Sequence, residues 1–223
     1  MYDSPEVVAR ADGVLGELVL RRRPGPVHEL IVNGVFLMDT AETTTERLLA
    51  ELVLTRHPAP HHVLVGGLGL GRTLAALLAD HRPRLVELVE IEPLLVAWSR
   101  AGLVPGVAAA LDDRRVRVRI ADIRAALRPP ERYDAVVLDV DNGPGFLVHE
   151  RNATVYEPAG LAGAAAALRP GGVLVVWSAD PAPALLAGLR DRVGPAEQLV
   201  RRVARQGRPV DYYLYLAKKP DIA

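Results

Sequence analysis

Downstream of Pro58-Ala59-Pro60 the chain alternates apolar runs of strand length with segments of helix length. The first run empties into Gly66-Gly67-Leu68-Gly69-Leu70-Gly71. No other feature constrains the fold as much. The strand-like runs are 62–65, 84–91, 116–120, 133–139 and 173–178, and helices are expected to begin near Gly71, Pro93, Asp122, Pro158 and Pro181. A helix between two strands returns the chain to the same end of the sheet, so such strands pair in parallel. The tail differs. Runs 198–204 and 211–217 read as two strands joined by Arg205-Gln206-Gly207-Arg208-Pro209.

The first 56 residues read as β structure plus a helix. Residues 16–21 alternate in polarity, and Pro24-Gly25-Pro26 breaks the chain. Runs 29–32 and 35–38 flank Asn33-Gly34, the strongest short signal for a β-hairpin. Thr43 is expected to cap a helix running to about Arg56, with Glu46 three residues on as the partner of a capping box. The expected organisation is a short N-terminal β-hairpin region with a helix (1–56), then a catalytic domain (57–223).

Half of the 223 residues are hydrophobic, which suffices for a full core. Lys+Arg and Asp+Glu both number 27. A neutral balance gives no electrostatic reason to expect nucleic acid or an anionic membrane as a partner. The absence of cysteine excludes disulfides, thiolate metal sites and cysteine nucleophiles. The first ten residues lack the pattern of a secretory signal. No apolar stretch approaches the roughly 20 residues of a spanning helix. A cytoplasmic protein is expected.

Four places carry chemistry. Gly67, Gly69 and Gly71 let the backbone turn tightly between strand and helix and approach a ligand closely. Glu90 ends the second strand, about 20 residues past the glycines, where a carboxylate can accept both ribose hydroxyls. Glu92 is the alternative, although an acid there also suits the helix N-terminus. Asp122 can accept from an adenine amine while Ile123 packs on the ring, and Asp122 can equally cap the following helix. Asp139 and Asp141 leave the end of the fourth strand, where ligands of open α/β sheets sit. Two acids so close raise one another's pKa, which suits a proton acceptor.

These stretches, with Gly16–Leu20, Glu29–Gly34 and the run Tyr133-Asp-Ala-Val-Val-Leu-Asp-Val-Asp, resemble the polyamine aminopropyltransferases (the spermidine synthase family). The resemblance covers nearly the whole chain. It implies a class I methyltransferase-like Rossmann fold: α/β, with a seven-stranded, mostly parallel sheet whose last strand is antiparallel. It also implies transfer of an aminopropyl group from decarboxylated S-adenosylmethionine to an amine acceptor such as putrescine. Asp141 would match the family's base, one residue short of the usual spacing, and Asp139 the first acid. Glu46 and Tyr156 fall at substrate positions. A small-molecule amine as partner, a homodimer and no metal are implied in the same way.

The chain departs from the family at Gly69, where the family keeps an acid for the donor's ammonium. The family's glutamine near the hairpin is here Leu37 or Met38. Removing that acid suits intact S-adenosylmethionine, so methyl transfer is the alternative reading. A non-catalytic nucleoside-binding homologue is a third. Trp177 ends the fifth strand and could face a cation through its ring or pack in the core. His57, His61 and His62 cluster at the linker with no acid or cysteine to complete a metal site. The arginines 114, 115, 117 and 119 alternate with Val116, Val118 and Ile120, as in an amphipathic strand with a solvated or interface face.

Overall fold

A computed structural model describes residues 4–140, 143, 144, 152–205 and 207–221. Four antiparallel strands come first: β1 (Glu6–Gly13), β2 (Gly16–Arg23), β3 (Val27–Val32) and β4 (Val35–Asp39), in that order across the sheet. The expected hairpin is present, with Asn33 and Gly34 both at positive φ in its turn. The region is larger than a hairpin, however. β1 escapes the sequence reading because its faces are only half-buried and its apolar residues alternate poorly.

Helix α1 (Thr44–Arg56) follows, and its buried Leu49, Leu52 and Val53 face the core. The expected capping box does not form. Thr43 makes no side-chain cap bond. Glu46 accepts instead from the hydroxyl of its neighbour Thr45 at 2.9 Å. The donors ahead of the helix are satisfied by other acids: Asp39 Oδ1 accepts from the Ala41 and Glu42 N–H groups, and Glu42 Oε1 from Thr44. Glu46 is thereby left to face a cleft, described below.

The main sheet is then laid down as β5 (His62–Gly66), β6 (Leu85–Glu90), β7 (Val116–Ile120), β8 (Tyr133–Leu138), β9 (Leu168–Ser178), β10 (Ala196–Arg205) and β11 (Arg208–Lys218). Between them run α2 (Arg72–Leu78), α3 (Pro93–Arg100), α4 (Val107–Leu111), α5 (Ile123–Ala126), α6 (Ala153–Tyr156), α7 (Pro158–Ala167) and α8 (Pro183–Arg192). The strand order is β10-β11-β9-β8-β5-β6-β7. The five strands from β9 to β7 pair in parallel, and β11 is inserted antiparallel between β9 and β10. The class I methyltransferase-like sheet expected from the sequence is the one observed.

β8 is buried at every position, as a central parallel strand with helices on both faces must be. β7 is an edge strand with Arg117 and Arg119 exposed, so its arginine row is solvated. One apolar cluster passes through both sheets, joining Leu18, Leu20 and Leu30 of the N-terminal strands to Val63, Leu74, Leu88 and Val137. Each such leucine contributes about 1.5–3 kcal/mol by leaving water. Among the described residues no helix is long and apolar enough to cross a membrane.

Candidate functional site

The carboxyl ends of β6, β5, β8 and β9 open onto one cleft. Its lining includes Glu90, Gly67, Gly69, Asp122, Ile123, Asp139 and, on the far side, Glu46, Trp177 and Arg205. The N-terminal sheet supplies a wall through Leu15, Leu30, Leu37 and Met38.

The glycine turn has two separate reasons for its composition. Gly67 has φ +93°, and a Cβ there would lie 2.1 Å from the carbonyl oxygen of Asp139. Any side chain would push β8 away from β5. Gly69 has φ +49°, and a Cβ there would meet Met38 Sδ at 2.6 Å. The missing acid at position 69 and the methionine on β4 are therefore one feature, since the thioether fills the space of the absent side chain.

Glu90 ties the turn to the neighbouring strand. Its Oε2 accepts from the Leu68 N–H at 2.7 Å and its Oε1 from the Glu92 N–H at 2.8 Å. Burial pushes its carboxyl above the usual range, and those backbone donors pull it back. A carboxylate offers about four acceptor sites, more than these backbone donors occupy, so Glu90 keeps acceptor capacity toward the cleft. Glu92 has a different task. It caps α3 by accepting from Leu94 N–H at 3.0 Å, and it holds the β1–β2 turn through Leu15 N–H at 3.1 Å.

Asp122 caps α5 through the Arg124 N–H at 2.9 Å, and its two oxygens take the Arg124 guanidinium as a fork. It lines the cleft as well, so both readings of this residue share one geometry. Ile123 is buried and packs against Gly66 and the cleft.

Asp139 lies at the centre. Burial raises its pKa to about 7, repulsion from Glu46 and Glu90 adds to the rise, and the Thr73 hydroxyl, donating to Oδ2 at 2.9 Å, opposes it. Thr73, in the first turn of α2, carries no signature in the sequence. Its contact to Asp139 spans 66 residues. Glu46, also lifted by burial, faces the same space. Asp141 lies outside the described residues.

Trp177 is partly buried, lines the cleft and leans on Tyr212 with ring centroids 5.2 Å apart. Tyr156 is held away from the lining: its hydroxyl donates to the Val140 carbonyl at 2.6 Å and its ring packs in the core beside β8. Arg205, at the end of β10, reaches the cleft from a strand that sequence reasoning had no cause to connect with it. Two of the linker histidines are engaged individually. His62 Nε2 lies 2.9 Å from Glu87 Oε1, and His57 Nδ1 accepts from Ala59 N–H. Among the described residues no group of three His, Cys, Asp or Glu is placed to hold a metal.

An open, mostly parallel sheet with a glycine turn, an acid ending the next strand and a cleft at the strand ends defines an α/β protein of the methyltransferase-like class. The model of the spermine/spermidine synthase domain matches residues 42–185, and the chain belongs to that family. A polyamine aminopropyltransferase of Mycobacterium tuberculosis is 36% identical over 123 residues, 53% of this chain and 23% of the relative. Polyamine aminopropyltransferase 2 of Pseudomonas aeruginosa is 36% identical over 119 residues, 51% of this chain and 32% of its own. The matches thus span about a quarter to a third of these relatives. Among solved structures, a spermidine synthase in complex with the transition-state analogue AdoDATO has a TM-score of 0.85 at 18% identity, covering 97% of this chain and 75% of that one. The Thermotoga maritima spermidine synthase has a TM-score of 0.80 at 17% identity, covering 97% and 73%. At such identities these two structures report the fold.

Proposed function

We propose that the protein is an aminopropyltransferase that uses decarboxylated S-adenosylmethionine and an amine acceptor. The observation that carries this reading is the Asp139 carboxyl, raised to about 7 beside Glu46 and Glu90 in the cleft. An amine acceptor arrives as an ammonium and must lose a proton before it can attack. A carboxyl that titrates near neutrality can share that proton with a neighbouring carboxylate that acts as the base.

In the proposed step the amine lone pair attacks the propyl carbon bound to the sulfonium. The carbon–sulfur bond breaks and its electron pair returns to sulfur, leaving neutral methylthioadenosine. The proton that the acceptor ammonium gives up before the attack passes to a carboxylate, and the product leaves as a secondary ammonium. Asp141 is assigned as that base and Asp139 as its support, held by Thr73. Glu90 takes the ribose hydroxyls, and Asp122 and Ile123 the adenine. Gly67, Gly69 and Gly71 shape the turn that admits the nucleoside. Glu46 and Trp177 face the acceptor, with Tyr156 bracing the backbone of Val140. The chain's contribution is mostly alignment of amine, carbon and sulfur.

A second reading, methyl transfer from intact S-adenosylmethionine, draws on one observation: Met38, not a carboxylate, occupies the space at Gly69. Incubation with a panel of amine acceptors, putrescine among them, and each cofactor, followed by mass spectrometry, separates the readings. Methylthioadenosine with an alkylated amine supports aminopropyl transfer, and S-adenosylhomocysteine supports methyl transfer. Neither product, with measurable methylthioadenosine binding, leaves a nucleoside-binding homologue. Full aminopropyl transfer by Asp141→Asn would remove Asp141 as the base. Glu90→Gln should weaken methylthioadenosine binding by roughly 10–100-fold, the worth of hydrogen bonds to a charged acceptor, as read by calorimetry.

A further inference from the structure

The sheet order sets the cleft out in a line. Glu90 of β6 stands at one end, then Gly67 after β5, then Asp139 after β8, then Trp177 of β9, and past β11, Arg205 of β10. Asp139 therefore divides a nucleoside half from an acceptor half. The acceptor half holds an arginine, which a wholly cationic acceptor would not call for.

Arg205 faces Asp39, the Tyr212 hydroxyl and Glu46, yet its guanidinium is not fully satisfied by them. Its Nη1 lies 3.3 Å from Asp39 Oδ2. That carboxylate is shared, because it also takes Arg23 Nη2 at 3.2 Å and the N–H groups of Ala41 and Glu42. The Arg205 Nε and the Trp177 Nε1 are both buried and have no hydrogen-bond partner among the described residues. A buried N–H without an acceptor is costly, and such groups mark a place where a ligand supplies what the protein does not. Tyr212 braces both residues: it carries the Trp177 ring at 5.2 Å and lies under the Arg205 guanidinium at 5.4 Å, while Phe36 lies under that guanidinium at the same distance. The other charged group on this side, Glu46, is shifted by burial toward its neutral form.

We infer that Arg205 and Trp177 form an anion subsite, and that the acceptor is an amine whose far end carries a carboxylate, an ω-amino acid in place of a diamine. The amine would meet Asp139 while the carboxylate takes the N–H groups of Arg205 and Trp177. This rests on the transferase reading for the amine, but the subsite itself is a binding claim. It can be tested without turnover.

The protein saturated with methylthioadenosine is titrated by calorimetry with 4-aminobutyrate and, separately, with putrescine, two linear amines of similar length that differ in the terminal group. The subsite requires 4-aminobutyrate to bind about tenfold or more tightly than putrescine, the scale of one charge-assisted hydrogen-bond pair. Arg205→Met should lower 4-aminobutyrate affinity by about tenfold or more. Trp177→Phe, which keeps a ring on Tyr212 and removes only the N–H, should lower it by roughly two- to tenfold. Methylthioadenosine affinity, measured first in each variant, confirms that the nucleoside half is folded and should be unchanged. Equal or tighter binding of putrescine, no detectable binding of 4-aminobutyrate, or full affinity in both variants overturns the subsite. Product analysis keeps the two claims apart. Binding of 4-aminobutyrate without methylthioadenosine release fails the transferase reading and leaves the subsite standing. Transfer to putrescine with no preference for the acid does the reverse.

Discussion

Replacing Asp139 with Asn should stabilise the protein at alkaline pH and do progressively less as the pH falls. In the unfolded chain this carboxyl loses its proton near 3.8, and in the folded protein near 7. Between those values the folded state holds a proton that the unfolded state has released, so stability is lost as pH rises through the window. The shift of about three units corresponds to about 4 kcal/mol once both states are ionised. Asp139 is partly open to the cleft, and water screening reduces this to about 2–4 kcal/mol. Asn is neutral throughout and can still accept the Thr73 hydroxyl. Roughly a third of the effect has developed by pH 5, so the variant's advantage should widen by about 2 kcal/mol between pH 5 and 8.5. Urea unfolding of both proteins across that range measures it. Each kcal/mol should also appear as about 2–4 °C in Tm for a chain of this size. Removing the Asp139 charge also relieves its repulsion with Glu46 and Glu90, and that relief is part of the same difference. An offset that stays flat with pH, or that narrows as pH rises, would refute the assignment of a near-neutral carboxyl to Asp139.

Two further outcomes follow from the glycine turn. Gly67→Ala places a Cβ against the Asp139 carbonyl at positive φ and should cost about 2–4 kcal/mol from overpacking and backbone strain together. Gly207→Ala, also at positive φ but with nothing within 4 Å, should cost about 1–2 kcal/mol, and equal losses in urea melts would sink the contact argument. Gly69→Asp should cost about 1–3 kcal/mol through the clash with Met38. Because that neighbour is the end of a flexible side chain, adding Met38→Ala should recover about 1 kcal/mol or more of coupling in a double-mutant cycle.

The legible part of the chain was the part whose signals are local. Pro58–Pro60, the glycine run and the strand–helix alternation all act within a few residues, and they placed the parallel strands and the closing pair. The division between Glu90 and Glu92 was also visible, since Pro93 marks a helix start and an acid before it is a natural cap. β9 begins at Leu168, ahead of the expected 173, because Pro170-Gly171-Gly172 reads as a break, yet Leu168 pairs with Tyr133. α4 is five residues long after Gly106, too short for a periodic signal. The capping box failed for a different reason. Its local pattern was present, but the cleft drew Glu46 inward and Asp39 with Glu42 took over the N–H groups. Thr73, Met38 and Arg205 were invisible because their partners are remote: Arg205 meets Asp39 across 166 residues.

The two halves of the cleft are built from different materials. On the nucleoside side the constraints are backbone ones: a Cβ at Gly67 would collide with a main-chain carbonyl, and Glu90 is fixed by two main-chain N–H groups. Such contacts tolerate almost no substitution without moving a strand. On the acceptor side the walls are the ends of side chains, Met38 over Gly69 and Arg205 laid across Phe36 and Tyr212. Those can be exchanged while the sheet stays still. On the proposed reading, a chain with this architecture can hold its cofactor geometry fixed while the charge it offers the second substrate changes sign. Met38 and Arg205 belong to that exchangeable set.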